Sequence, residues 1–206
     1  MRVLSTKKEQ IFAFIIEKKK KLKYNNYTKE KKMFEDNFVI VDLETTGLSP
    51  QNSEIIEIGA IKVVNNEVVD TMDVFVRPSR PLSWFTTNLT GITNEMVDEG
   101  LSCEEALRVF DEFSGDLRLL AHNAKFDMSF INKYMQQKLG KQPRQDAMDT
   151  LILSRNIVKG LPNYKLGTLA NHFNIDYSGA HRSLRDCEIT LDVYNNIRKV
   201  WNGEGV

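Results

Sequence analysis

The chain has 206 residues, which suits one globular domain plus an appendage, and its 41% hydrophobic and 27% charged composition is ordinary for a soluble protein. The formal net charge is zero but unevenly spread: residues 1–33 carry eleven Lys and Arg against three Glu, a net +8, which leaves −8 on the remainder. The two cysteines, Cys103 and Cys187, fit neither a zinc spacing nor a disulfide framework, and so point to a reducing, cytoplasmic setting.

The first apolar run, IFAFII at residues 11–16, is followed directly by a lysine-rich stretch. Six residues are too few for a signal-peptide core or a membrane span, so no membrane association is expected. Lys7 to Lys32 reads as a lysine-rich helix or a mobile arm. The composition changes between Met33 and Asn37, which divides the chain into a basic arm, residues 1–34, and one larger domain, residues 35–206.

Beyond that boundary the strands come first. Phe38 to Leu43 is an apolar strand. Ile55 to Val64 and Val68 to Val76 form a hairpin with Asn65-Asn66 at its turn, and Pro78 and Pro81 end the run. Ser102 followed by Glu105 is a capping box, which predicts a helix to Phe113 stopped by Gly115. LRLLAHN is a short strand, and FDMSFINKYMQQKL an amphipathic helix ended by Gly140. Shorter helices follow at Asp149 to Ile157 and Leu166 to Phe173. The last helix, Ser183 to Trp201, has Leu184, Ile189, Val193 and Ile197 on its apolar side. A mixed central sheet flanked by helices, an α/β fold, follows from this order.

Four acids stand in unusual places. Asp42 and Glu44 lie two residues apart at the end of a core strand, so strand alternation points both to one side. Carboxylates that close repel each other, and half-buried ones are costly without a partner. Asp127 opens a helix directly after a buried strand, and Asp186 sits in the first turns of the last helix. Taken singly, each Asp is a helix cap or dipole partner. Taken with Asp42 and Glu44, they are four acids at strand ends and helix starts, where α/β sites gather. An all-oxygen set suits Mg²⁺ or Mn²⁺ rather than Zn²⁺. His181 lies five residues before Asp186, a rotation of roughly 140° if one helix held both. It therefore belongs in the preceding loop, where Gly179 gives flexibility and a His can accept a proton; on its own it reads as a surface-loop histidine.

With those residues in place, Phe38 to about Trp201 resembles the DEDDh, DnaQ-like 3′→5′ exonucleases, which include the proofreading exonuclease of bacterial DNA polymerase III, both the separate epsilon subunit and the domain built into PolC. DLETTGL, with EIIEIGAIKV behind it, is similar to the first motif, AHNAKFD to the second and HRSLRD to the third; LTGITNEMV and MDTLILSR match in kind and position. The resemblance implies an RNase H-like fold and a metal-dependent exonuclease that releases nucleoside 5′-monophosphates from DNA 3′ ends, in proofreading or repair. It implies Asp42, Glu44, Asp127 and Asp186 as ligands of two divalent ions and His181 as general base. It implies Thr45, Thr46, Gly47 and Leu48 as a cradle for the terminal nucleotide, with Asn123 and Phe126 beside it. His122 and Asn123 are expected to brace the second motif, Phe126 is equally a core residue, and Asp149 is either a supporting acid or a helix cap.

Trp84 and Phe85 stand where relatives commonly carry Pro and acidic residues, and Lys125 is unusual beside an acidic cluster; it either reaches a phosphate or points to solvent. No polymerase sequence accompanies the motifs, so a stand-alone nuclease is expected, with a polymerase or another replication or repair protein as a partner. Two alternatives stay open: an RNA-trimming enzyme of the same group, and a catalytically silent nucleic-acid-binding module.

Overall fold

The computed structural model describes residues 33–142, 144 and 146–204. Residues 1–32, which hold nearly all of the expected basic arm, lie outside the described residues. The residues from Asp36 onward form one unit. It is built on a five-stranded sheet of order β3-β2-β1-β4-β5. The strands are β1 (Phe38–Thr45), β2 (Ile55–Val64), β3 (Glu67–Phe75), β4 (Arg118–Ala121) and β5 (Ala147–Asp149). The hairpin β2–β3 closes where expected: Asn65 and Asn66 have φ of 54° and 65°, the two positive values that a turn matched to strand twist requires. β1 pairs antiparallel with β2 along its whole length and parallel with β4, and β4 pairs parallel with β5. The carboxyl ends of β1, β4 and β5 therefore open on one edge of the sheet, where loops in such sheets collect ligand-binding groups.

Seven helices complete the described unit: α1 (Trp84–Thr90), α2 (Asn94–Asp98), α3 (Cys103–Ser114), α4 (Lys125–Leu139), α5 (Thr150–Ile157), α6 (Leu166–His172) and α7 (Ser183–Asn202). The alternation of β1 sorts its side chains between two layers. Val39, Val41 and Leu43 join Leu107 and Phe110 of α3 and Phe130 and Ile131 of α4 in one core. Phe38 faces the other way, its ring 5.0 Å from that of Tyr194 on α7. Phe38, Ile189, Val193, Tyr194 and Ile197 are all buried. Each such side chain contributes about 1.5–3 kcal/mol by leaving water. Asp42 and Glu44 share the face of Phe38 and Ile40, so the same alternation turns both acids toward α7.

Most elements match the sequence reading. The capping box of Ser102 and Glu105 starts α3, Gly115 ends it, and Gly140 ends α4 with φ of 65°. Three features differ. β1 runs on to Thr45 because Asp42, Leu43 and Glu44 stay paired with Gly59, Ile58 and Glu57 of β2. Ala147 to Asp149 is a strand held by β4, and the helix expected from Asp149 begins one residue later. Helices α1 and α2 occupy a segment for which no element was expected. α1 is capped by the Ser83 hydroxyl and buries Thr86 and Thr90 while it exposes Trp84, Phe85 and Leu89.

Candidate active site

Three elements deliver the four acids to the open sheet edge. Asp42 and Glu44 come from the end of β1. Asp127 lies in the first turn of α4, directly after β4, and its Oδ1 accepts the Leu43 N–H at 3.2 Å, which ties the second motif to the first. Asp186 lies in the first turn of α7, and its Oδ2 accepts the His181 N–H at 3.2 Å. His181 stands in the loop before α7, as the rotation argument required, with its side chain exposed and φ of 69°. Glu44, His181 and Asp186 each offer a ligand atom, all within 4.8 Å of one another.

The electrostatics bind the four acids into one group. Burial, followed by the charges of Asp127, Asp186, Glu44 and Glu57, holds the Asp42 carboxyl well above the usual carboxylate range. Burial, then Asp186 and Glu57, pushes Glu44 up to about 8, against a smaller opposing pull from Arg182. Burial also raises Asp127 and Asp186, although backbone N–H groups of Leu43 and His181 work the other way. Such a cluster is self-repelling when ionised and gains most from added positive charge. Asp186 Oδ1 is buried with no hydrogen-bond partner. A buried carboxylate oxygen left without a donor is costly, and a cation satisfies it. The oxygen-rich donor set and this orphaned atom fit a divalent metal.

The lip after β1 is held by its own backbone. Thr45 donates its hydroxyl to the Gly47 carbonyl at 2.7 Å. Thr46 receives the Glu54 N–H on its hydroxyl at 2.9 Å and returns its own N–H to the Glu54 carbonyl. At Gly47 a Cβ would meet Ser53 Oγ at 2.7 Å, so this glycine has a packing reason of its own. Leu48 is 87% exposed, an apolar side chain presented to solvent beside the acids.

The second motif is braced from β5. Asn123 takes φ of 63°, and Asp149 accepts the N–H groups of Asn123 and Ala124, both at 3.1 Å. Asp149 also accepts the Leu151 N–H at 2.8 Å, so it is a helix cap and a supporting acid together. Burial holds His122 down at about 4, so it is neutral, and its Nδ1 lies 2.9 Å from the Thr150 hydroxyl. Phe126 is partly buried against the core, its ring 5.1 Å from that of Phe130, whereas Lys125 points to solvent.

Glu57 carries a role that the sequence reading did not assign. It is fully buried in β2 and binds Arg182 and the Ser183 N–H at the start of α7. The available signal was one charged residue inside the apolar run IIEIGAI.

A five-stranded mixed sheet with helices on both faces, and acids gathered where β1, β4 and α7 meet, form the architecture of the RNase H-like fold of exonucleases. The sequence profile of the Exonuclease (RNase T) family matches residues 39–194, and the chain belongs to that family. It is 47% identical over 160 residues to the DNA polymerase III PolC-type protein of Caldanaerobacter subterraneus subsp. tengcongensis, a match spanning 78% of this chain and 11% of the relative. The PolC-type protein of Listeria monocytogenes is 42% identical over 154 residues, 74% of this chain and again 11% of the relative. The chain thus spans about 11% of the length of these relatives. Among solved structures it is similar to exonuclease X in complex with 5′ overhanging duplex DNA, at 26% identity and a TM-score of 0.64, covering 82% of this chain and 94% of that one. Escherichia coli exonuclease I in complex with a dT13 oligonucleotide shares the fold, with a TM-score of 0.71 at 17% identity, over 82% of this chain and 42% of that one. No helix among the described residues is long and apolar enough to cross a membrane.

Proposed function

We propose that the chain is a metal-dependent 3′→5′ exonuclease that releases nucleoside 5′-monophosphates from DNA 3′ ends, in proofreading or repair. The observation that carries this reading is the convergence of four mutually repelling carboxylates with His181 at their rim. Asp42, Glu44, Asp127 and Asp186 would hold two divalent ions, Mg²⁺ or Mn²⁺. Such ions, when bound, lower the pKa of water and offset charge on the leaving 3′-oxygen. His181, exposed and beside Glu44 and Asp186, takes a proton from the attacking water on its imidazole. Thr45, Thr46, Gly47 and Leu48 form the lip that receives the terminal nucleotide. The exposed Leu48 side chain offers an apolar contact for a base, and such contacts do not discriminate between bases. Asn123 and Phe126 bound the site from the second motif.

Residues 1–34 form a basic arm in this proposal and residues 35–206 the exonuclease domain. The similarity to PolC-type polymerases makes a DNA polymerase or another replication or repair protein the proposed partner. The test is incubation with labelled single-stranded DNA, duplex DNA and RNA, each with Mg²⁺, Mn²⁺ or EDTA. Metal-dependent shortening of DNA from the 3′ end supports the reading. Preference for RNA moves the assignment to the RNA-trimming branch, and no cleavage of any substrate removes the enzymatic one.

A further inference from the structure

Glu57 is wholly buried, and an unpaired carboxylate is not tolerated at such a place. Both of its oxygens are engaged by the third motif. Oε1 accepts Arg182 Nε at 2.9 Å and Nη2 at 2.6 Å, and Oε2 accepts the Ser183 N–H at 2.8 Å. Ser183 is the first residue of α7, and Arg182 at the cap position supplies no side-chain cap. Glu57 therefore caps α7 from the β2 strand packed beneath it. It satisfies one of the N–H groups that a helix start leaves open, and it sets a negative charge at the positive end of the helix dipole.

Two further contacts make the join rigid. The Arg182 guanidinium lies over the Phe75 ring, 5.1 Å from its centre, and 3.8 Å from Asp73 on β3. Gly59, two residues along from Glu57, passes so close beneath α7 that a Cβ there would fall 2.3 Å from the Ser183 carbonyl carbon. Strands β2 and β3 thus fix the two residues that follow His181.

His181 adopts φ of 69°, a region that non-glycine residues hold only when their surroundings impose it. Its imidazole is exposed and has no hydrogen bond among the described residues; only its backbone N–H is held, by Asp186. The backbone therefore sets the direction in which the side chain leaves the chain, and the residues clamped next to it set the backbone. We infer that Glu57 is a positioning residue for the proposed exonuclease reaction: through Arg182 and Ser183 it holds the His181 backbone in the left-handed conformation that brings the imidazole beside Glu44 and Asp186. This inference rests on the exonuclease reading for its consequence in turnover, but the clamp itself does not depend on it.

The test is a double-mutant cycle with Glu57→Gln, Arg182→Lys and His181→Ala, scored by kcat and KM on single-stranded DNA and by melting temperature. Glu57→Gln keeps the shape and removes the charge; Arg182→Lys keeps the charge and removes the planar fork. Each should lower kcat by about 10²-fold, the usual cost of a displacement of roughly 1 Å, with little change in KM. In the His181→Ala background each should have almost no further effect, because they act through that residue. The His181 ring resonance, followed by NMR in metal-free protein, should shift or broaden in both variants. Full additivity with His181→Ala overturns the inference, as does an unchanged kcat or an unchanged His181 resonance in either folded variant. If Glu57→Gln does not fold, Arg182→Lys, altered at a part-exposed side chain, decides alone. If the wild type cleaves nothing, the exonuclease reading fails and the resonance still decides the clamp.

Discussion

Glu44→Gln should stabilise the metal-free protein, and by more as the pH rises. The Glu44 carboxyl is raised from an ordinary 4.5 to about 8 in the fold. Between those values the folded state holds a proton that the unfolded chain has released, so stability is lost as the pH rises through this window. At about 1.36 kcal/mol per pKa unit, the two-state linkage gives a loss near 1 kcal/mol at about pH 5 and about 3 kcal/mol at about pH 7. The difference, roughly 2.5 kcal/mol, is an upper bound, because the side chain is part-solvated. For a chain of this size it corresponds to about 5–10 °C in Tm. Glutamine keeps the shape and cannot ionise, so it is exempt from that loss. The assay is thermal denaturation of both proteins in EDTA from pH 5 to pH 8, repeated with millimolar Mn²⁺. The melting difference in favour of Glu44→Gln should widen with pH in EDTA and reverse in metal, where the ionised carboxylate gains a partner that binds only the folded state. A constant difference across the pH range, or a wild type more stable than the variant in EDTA at neutral pH, would overturn the raised Glu44 carboxyl.

Asp42→Asn should abolish cleavage without lowering the metal-free melting temperature, since it removes a charge that burial and then neighbouring carboxylates disfavour; unfolding on circular dichroism, or near-normal turnover, would count against the acid cluster. His181→Ala should slow turnover by roughly 10²–10⁴-fold, the usual worth of a positioned base, with substrate binding by fluorescence anisotropy little changed. Deleting residues 1–33, with their net charge of +8, should raise KM at low salt and flatten its salt dependence, by a log–log slope of about 0.7 for each phosphate that the arm had neutralised on a single strand. Saturated kcat should barely move in that deletion, and equal slopes for both proteins would remove the arm from substrate binding.

How far the sequence could be read depended on how local the determinant was. α7 was legible because Ile189, Val193 and Ile197 mark a helical stripe and all three are buried. The end of β1 was not, because Asp42 and Glu44 look like a strand giving way to solvent, whereas their ladder to β2 continues. β5 is three residues long, too short to carry a period, and exists only through its pairing with β4. α1 turns Trp84, Phe85 and Leu89 outward and Thr86 and Thr90 inward, the reverse of the pattern that marks an amphipathic helix. That the four acids and His181 converge was legible from motif order and spacing. Of the residues that hold them, Asp149 was open to two readings and fills both, whereas Glu57 was not legible: it reaches the third motif across 126 positions of sequence, a distance over which no local pattern operates.

In the proposed mechanism the strand-end carboxylates gather because they share divalent ions. Calorimetric titration of metal-free protein with Mn²⁺ at neutral pH, in buffers of different ionisation enthalpy, addresses it most directly, because it counts ions and released protons in one measurement. Two Mn²⁺ per chain are expected, bound with net proton release, for which Glu44, raised to about 8, is a source, and with loss of binding in Asp42→Asn. Absence of saturable binding, or binding without proton release that survives Asp42→Asn unchanged, would contradict it.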